Sequence, residues 1–373
     1  MVTNPVYLSR YLQRFRAAFV FVFAVTVLVT VSSRAQNNSS DNADIRRLTE
    51  RAQQGYLKDE IDLAIALQFG KGVRPDPEGA AHWFLRAANQ GSPAAQTYIA
   101  YFYLLGRGVG QNPQEAFRWF QRAAVENYPP AQLGLSFLLL NGLGVHQNRE
   151  DGLKWVLRAA EKGFAPAQLN LALLYHKGVV VPEDPKEMKR WIMKAAEQKY
   201  APAEFLVGTM YESGIGTEQK YSEALKWYRK AAERGHPAAQ NNIGGLYLRG
   251  HGVPQDPQEA VKWYLRSAEQ GDKTACTNLA YLYAGGKGVK QDDETAFFWS
   301  RVAERSSAPQ KLALSPEFER ELQARLSPEV VQRVEDRVEQ WLQTHTITHR
   351  DWYFIETGGD SGELRARLQQ MAP

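Results

Sequence analysis

The sequence predicts an all-α protein: a right-handed α/α solenoid of seven 36-residue helix-turn-helix repeats, with a capping helix at either end. Three series of residues predict it. Trp83, Trp119, Trp155, Trp191, Trp227, Trp263 and Trp299 are each 36 residues apart. Gly70, Gly106, Gly142, Gly178, Gly214, Gly250 and Gly286 keep the same period, as do Ala95, Ala131, Ala167, Ala203, Ala239 and Ala275. A period of this length marks units that bury their apolar faces only by stacking on one another.

From the N-terminus, residues 1–35 read as an export signal. Arg10, Arg14 and Arg16 precede the apolar run "AAFVFVFAVTVLVTV" (17–31), and Ser33 and Ala35 stand at the −3 and −1 positions of a cleavage site before Gln36. As a helix this run rises about 22 Å, short of the roughly 30 Å hydrocarbon core, so cleavage is expected and an uncleaved anchor is the alternative. No later segment is expected to span a membrane. The signal also accounts for the formal charge of +4. Taking the four arginines of residues 1–35 from the 45 basic residues leaves 41 against 41 acidic ones. The remainder has no bulk field to draw nucleic acid or an anionic membrane, which argues against nucleic-acid binding. Cys276 is the only cysteine, so no intramolecular disulfide forms and the core must supply the stability.

Residues 36–56 follow as a flexible leader, "NNSSDNAD" (37–44), and a degenerate capping helix, "IRRLTERAQQG", which keeps Gly55 in register with Gly91. The seven repeats span 57–305. In the second, "PAAQTYIAYFYLLGRGVGQNPQEAFRWFQRAAVENY", Pro93 opens a first helix whose inner face holds Ala95, Ile99, Ala100 and Tyr103. "GRG" stops it, since Gly106 takes a left-handed C-cap conformation at little cost. Asn112-Pro113 starts a second helix as N-cap and first residue. The cap register reads Asp76, Asn112, Asn148, Asp184, Lys220, Asp256 and Asp292, and only Lys220 is not an acceptor. Beside the small pair Ala123-Ala124 the tryptophan is expected to fill inter-repeat core. Residues 306–373 form a C-terminal helical cap and tail. Ser315-Pro316 and Ser327-Pro328 each open a helix there, the second amphipathic through Val331, Val334, Val338 and Trp341.

These motifs resemble the Sel-1-like repeat family, relatives of the tetratricopeptide repeats. The family pattern is an alanine, Leu-Gly-x-Leu-Tyr, Gly-x-Gly-Val, an aspartate, Ala-x-x-Trp, Ala-Ala and glycine, and "AAQNNIGGLYLRGHGVPQDPQEAVKWYLRSAEQG" (238–271) follows it nearly throughout. Val180 for the second glycine of repeat four and Lys220 at the cap of repeat five depart from it, as loop variation. Glu304 for alanine in repeat seven marks the end of the array.

Local chemistry favours structure over catalysis. The glycine pairs follow helices and recur in each repeat, so they are turns and not phosphate loops. His345 and His349 stand four apart, with Asp351 and Glu356 nearby, but no glutamate follows His345, and surface histidines are the reading over a metal site. "GGDSG" (358–362) echoes a protease nucleophile loop without partners for it, and reads as a turn. Lys226 and Lys230, offset by Glu223 and Glu233, read as a solvated convex face. No enzyme activity and no cofactor is expected.

The resemblance implies that first-helix positions line a concave binding face, as in tetratricopeptide proteins. That stripe reads Thr97, Tyr101, Leu104; Leu133, Phe137, Leu140; Leu169, Leu173, His176; Phe205, Thr209, Glu212; Asn241, Gly245, Leu248; and Thr277, Tyr281, Ala284. It is apolar in repeats two to four and more polar in five and six. Either it is a groove for a protein or peptide, or closure of the superhelix buries it. If it is a groove, Phe137→Glu leaves the fold intact. The implied function is an exported, periplasmic or secreted scaffold, in line with bacterial relatives in envelope assembly, signalling or host contact. The alternatives are an endoplasmic-reticulum luminal adaptor of a ubiquitin ligase, or a glycan-binding or cell-wall-modifying protein whose tryptophans stack on sugars or whose C-terminal segment carries a site.

Overall fold

The computed structural model describes residues 40–305 and 314–356, with seventeen helices and no strand among them. After α1 (Ser40–Gln53) come seven pairs, one per repeat. They are α2 (Leu57–Phe69) with α3 (Pro77–Asn89), α4 (Pro93–Leu105) with α5 (Pro113–Val125), and α6 (Pro129–Asn141) with α7 (Arg149–Glu161). Then follow α8 (Ala165–Lys177) and α9 (Pro185–Glu197), α10 (Ala201–Ser213) and α11 (Tyr221–Glu233), α12 (Pro237–Arg249) and α13 (Pro257–Ala268), and α14 (Lys273–Gly285) and α15 (Asp293–Arg305). Helices α16 (Pro316–Ala324) and α17 (Pro328–Glu356) end the described chain. It forms two compact units: residues 40–174 with 178–182, and residues 175–177 with 183 onwards.

In the first unit each second helix is joined to the next first helix at its C-terminal end, and α3 and α5 also at their start. Gln96, Gln132 and Gln168 sit early in α4, α6 and α8. Their Nε2 atoms donate to the carbonyls of Ala88, Ala124 and Ala160 at 3.3, 3.2 and 3.1 Å, a second bond on last-turn acceptors that also take the backbone N–H of Gly91, Asn127 and Gly163. At the other end, Gly106 caps α4 at φ +65 with its N–H on the Phe102 carbonyl. Two residues on, Gly108 (φ +61) lies flat against the start of α3, where a Cβ would overlap the Pro77 carbonyl. The repeated Gly-x-Gly is thus a helix stop followed by an inter-repeat contact. In repeat four Val180 replaces the second glycine and does not take a left-handed conformation, so that loop follows another backbone path.

Between these joints lies the core. Phe120, fully buried, presses onto Gly134 of α6 so closely that an alanine there would overlap its ring. Ala87-Ala88, Ala123-Ala124 and Ala159-Ala160 are buried pairs, small enough to bring backbones together. Of the first helices, α6 is apolar on every side. In α6 all ten residues 131–140 are buried, as a helix without a polar face requires. Helix α1 begins at Ser40, inside the stretch that composition assigns to a flexible leader. Asp41 and Asp44 stand in its first turns, where negative charge favours a helix, and Ala52 is fully buried.

The second unit repeats the scheme. Asp256 and Asp292 cap α13 and α15 through the N–H groups of Glu259 and Thr295, whereas Lys220 makes no side-chain cap. Tyr228 and Tyr264 take the place of Phe120 and lie on Gly208 and Gly244. Helices α16 and α17 begin behind Ser315 and Ser327, whose hydroxyls accept from Phe318 and Val330 N–H. Leu314, Leu322, Val334 and Val338 join the core, and Arg301 and Arg305 of α15 pair with Glu335 and Glu339 of α17.

Glu60 and Glu204 occupy the glutamine register and are 0 % and 2 % exposed. Glu60 pairs with Arg86 at 3.0 Å and accepts from Gln90, and Glu204 pairs with Arg234 at 3.0 Å. For both carboxyls burial raises the pKa, opposed by the arginine. A raised folded-state pKa favours the folded protein below the ordinary carboxyl pKa, and the advantage is lost as pH rises through the folded value. Glu204→Gln keeps the volume, removes the titration and regains the donor used at the other positions. The variant's thermal midpoint relative to wild type is therefore expected to climb between pH 4.5 and 7. At pH 7 the two should lie within about 1 kcal/mol, the net worth of one hydrogen bond. A difference that is flat with pH would contradict this.

Candidate interaction surface

The second helices carry the tryptophans, and the structure places them differently from the sequence reading. Trp119, Trp191 and Trp299 are buried, but Trp83, Trp155, Trp227 and Trp263 are half-buried. The innermost residue is the next one along: Phe84, Phe120, Val156, Ile192, Tyr228 and Tyr264 are at most 3 % exposed. The tryptophans form the rim of the inter-repeat core, and a cation from the next turn lies over six of the seven rings. Arg86, Arg122, Arg158, Lys194, Lys230 and Arg266 sit 4.9, 4.6, 4.7, 4.4, 3.6 and 4.7 Å from the centroids three residues before them. Val302 ends the series, and Trp299 instead meets Trp341 edge-on at 6.1 Å. This Trp-x-x-Arg/Lys spacing was legible in the sequence and was missed. Trp155→Ala is expected to cost about 1–2 kcal/mol and Phe120→Ala about 3–5, measured by chemical denaturation. Equal costs would mean that both rings share one depth.

The first-helix stripe divides in two. Thr97, Leu104, Leu133, Phe137, Leu140, Leu169 and Leu173 are all at most 4 % exposed, and Phe205 is 7 % exposed. As an accessible apolar groove these eight positions are corrected: they are core, because a helix apolar on all sides has no face left for water. Leu140 packs on Gly152 of α7, where a Cβ would contact its side chain at 2.6 Å. Tyr101 and His176 are half-buried, Tyr101 edge-on to Phe120 at 4.9 Å, and Tyr281 is 45 % exposed.

In the second unit polar groups lie on and beside this stripe. Asn278 donates to the Asn241 carbonyl oxygen at 3.0 Å, Asn241 to Asn242 at 3.3 Å, and Asn242 to the Tyr228 hydroxyl at 3.0 Å. Tyr228 donates to Glu212 Oε2 at 2.6 Å and lies 3.2 Å from the Thr209 hydroxyl, and Arg249 contacts Glu212 Oε1 at 3.4 Å. The run joins α14, α12, α11 and α10. Burial, with Glu212 beside it, pushes the Tyr228 hydroxyl far above the usual phenol range, which keeps it a donor. Asn242 and Asn278 are half-buried and Arg249 is 42 % exposed at its side chain, so the network reaches the surface.

Other sequence candidates fall elsewhere. Lys226 pairs with Glu223 at 2.8 Å, as Arg118, Arg190 and Lys262 do with Glu115, Glu187 and Glu259, each a helical i,i+3 pair on the second helix. His345 stacks on Trp341 at 4.2 Å. The side chains of His349, Asp351 and Glu356, the segment 358–362 and residues 1–39 lie outside the described residues. No group of three metal-ligating side chains occurs among the described residues, and no described helix is long and apolar enough to cross a membrane.

Comparison with known proteins bears on this geometry. The Sel1 repeat family model matches residues 60–92, 93–126, 129–164, 165–200, 201–236, 237–272 and 273–305. No curated protein matches. Among solved structures, a Sel1 repeat protein from Oxalobacter formigenes is 30 % identical, with 82 % of this chain and 91 % of that one covered and a TM-score of 0.54. A protective antigen of uropathogenic Escherichia coli with an SLR fold is 23 % identical over 88 % of this chain and 82 % of its own, with a TM-score of 0.36. An immunity protein of Pseudomonas aeruginosa is 21 % identical over 70 % and 88 %, with a TM-score of 0.42. With seven consecutive family matches laid over seven helix pairs, this chain belongs to the Sel1 repeat family.

Proposed function

We propose that this protein is an exported, non-enzymatic scaffold that binds a protein partner through the first-helix face of repeats five to seven. One observation carries the reading. The stripe positions of repeats three and four, Leu133, Phe137, Leu140, Leu169 and Leu173, are buried and apolar, whereas in repeats five to seven the stripe holds Glu212, Asn241 and the exposed Tyr281, with Glu212 and Asn241 joined through Tyr228 and Asn242, and Asn241 to Asn278, by hydrogen bonds that reach the surface. Stability alone asks for leucine there. A repeat array offers an extended, rigid surface and no cleft chemistry, which suits binding. Sugar stacking on the tryptophans is less well supported, because a cation covers one face of six of the rings.

Export rests on residues 1–35, and the bacterial periplasm or cell surface is the proposed site of action. Two arginines placed within Val20 to Val29 are expected to retain the protein in the cytoplasm, and N-terminal sequencing of the exported product is expected to begin at Gln36. Recovery of Met1 on a membrane-bound product would establish an anchor instead. The scaffold itself is tested by proximity labelling from the exported chain with mass spectrometry. Labelling no richer than that of an exported unrelated control would remove the proposal.

A further inference from the structure

We propose that the α12–α14 face holds an extended peptide segment that carries a carboxylate, a reading that rests on the scaffold function above. The first feature is a missing side chain. Where the stripe has Tyr101, Phe137, Leu173 and Tyr281, α12 has Gly245, and the Arg249 guanidinium folds back over it: a Cβ on Gly245 would lie 3.2 Å from both Nη1 and Nη2.

The second feature is the state of that cation. Its only acidic partner among the described residues is Glu212 at 3.4 Å, a loose contact, and the Tyr228 hydroxyl already holds the other oxygen of Glu212 at 2.6 Å. A guanidinium offers five N–H donors in a planar fork suited to two carboxylate oxygens, and one long contact uses little of that capacity. An incoming carboxylate therefore finds a partly exposed cation already placed over bare helix backbone.

Third, the asparagines match a peptide backbone. Each amide has two N–H donors and two acceptor lone pairs, and the chain Asn278–Asn241–Asn242–Tyr228 uses one N–H of each. Asn242 and Asn278, one repeat apart and half-buried, each keep a further N–H beside their carbonyl, the complement of a peptide group's C=O and N–H. Helices packed side by side lie about 10 Å apart, and three residues of extended chain span that distance at about 3.3 Å each. One peptide strand crossing α12 and α14 thus meets both amides. Tyr281, 45 % exposed and with Phe318 4.5 Å away, provides an aromatic surface for a neighbouring side chain.

The test is selection of random dodecapeptides by mRNA display on the full-length folded protein. Enriched peptides are expected to carry Asp or Glu at one fixed position. Arg249→Glu is expected to weaken them at least about tenfold and to enrich Lys or Arg at that position instead, since hot-spot cations dominate such contacts. Asn278→Ala is expected to weaken acidic and neutral peptides alike, and Lys262→Glu on the second-helix face to change nothing. Arg249 is exposed, so its variants should keep the wild-type melting curve. Peptides without acidic preference, or peptides bound equally by wild type and Arg249→Glu, would overturn the proposal while leaving the scaffold standing. The same holds if no peptide is enriched but proximity labelling finds a partner, because recognition would then be of a folded surface. Failure of both experiments would remove both readings.

Discussion

Phe137→Glu is expected to abolish cooperative folding of repeats two to four, at a cost above about 4 kcal/mol. Phe137 is 4 % exposed, in the middle of the ten-residue buried run of α6. The substitution deletes a ring from a packed site and asks a carboxylate to leave water. An ion buried without a partner is neutralised or unfolds its surroundings. Because each repeat leans mainly on its neighbours, the damage is expected to spread from the middle of the array outwards. Circular dichroism on thermal melting reads it directly: loss of a substantial share of the helical signal at 25 °C, with the remainder melting early. An unchanged midpoint would mean that the stripe of repeats two to four is open to solvent, and the peptide site would then move there. A control at Tyr281, which is exposed, should melt like wild type when changed to glutamate.

Gly108→Ala is expected to cost at least about 3 kcal/mol, through left-handed strain plus overlap of its Cβ with backbone. The neighbouring atoms are the carbonyl of Pro77 and the N–H of Glu78, which cannot swing aside as a side chain does. Two controls separate the causes. Gly110→Ala, two residues on, has nothing within 4 Å and no positive φ, and should be neutral to about 0.5 kcal/mol. Gly91→Asn tests conformation alone: its φ is +89 with open space around it, and at the equivalent positions Asn127 and Lys199 already sit at φ 65 and 62. About 1 kcal/mol or less is expected there. If all three variants melt together, the Gly108 contact does not join the repeats.

The repeat was legible because its signals are local. A glycine that stops a helix, an asparagine that caps the next and an alanine pair that admits a neighbour each act within a few residues, so their 36-residue recurrence gave both helices of each pair. Depth was harder. Tryptophan is the most conspicuous residue of the period, yet the residue after it lies deeper, and the difference depends on which side of the helix faces the next repeat. The clue was Arg or Lys three residues after Trp, a spacing that places a cation over a ring and so marks a rim. The apolar stripe failed for a related reason. Its spacing of four and three gave the right helix face, but Leu135, Leu138 and Leu139 on the other faces of α6 already implied a helix enclosed on all sides. The polar network was half visible. Asn241 and Glu212 are stripe members, whereas Asn242 and Asn278 stand one place out of that register and Tyr228 comes from a second helix, so only their meeting in space reveals the chain of hydrogen bonds.

The paired joints have a consequence for how such a protein can grow. Gln96 reaches back to α3 at one end and Gly108 rests on α3 at the other, so the fastening lies between successive sequence periods and each period carries half of two fastenings. A duplication of any 36 consecutive residues within the array, wherever it begins, therefore supplies one complete new joint without a new complementary surface having to arise. Length is then free to change by recombination, while the residues that meet a partner diverge within a single copy. The polar face of α10 to α14, set in an array whose other first helices are leucine-rich, is what such divergence in a few copies would leave.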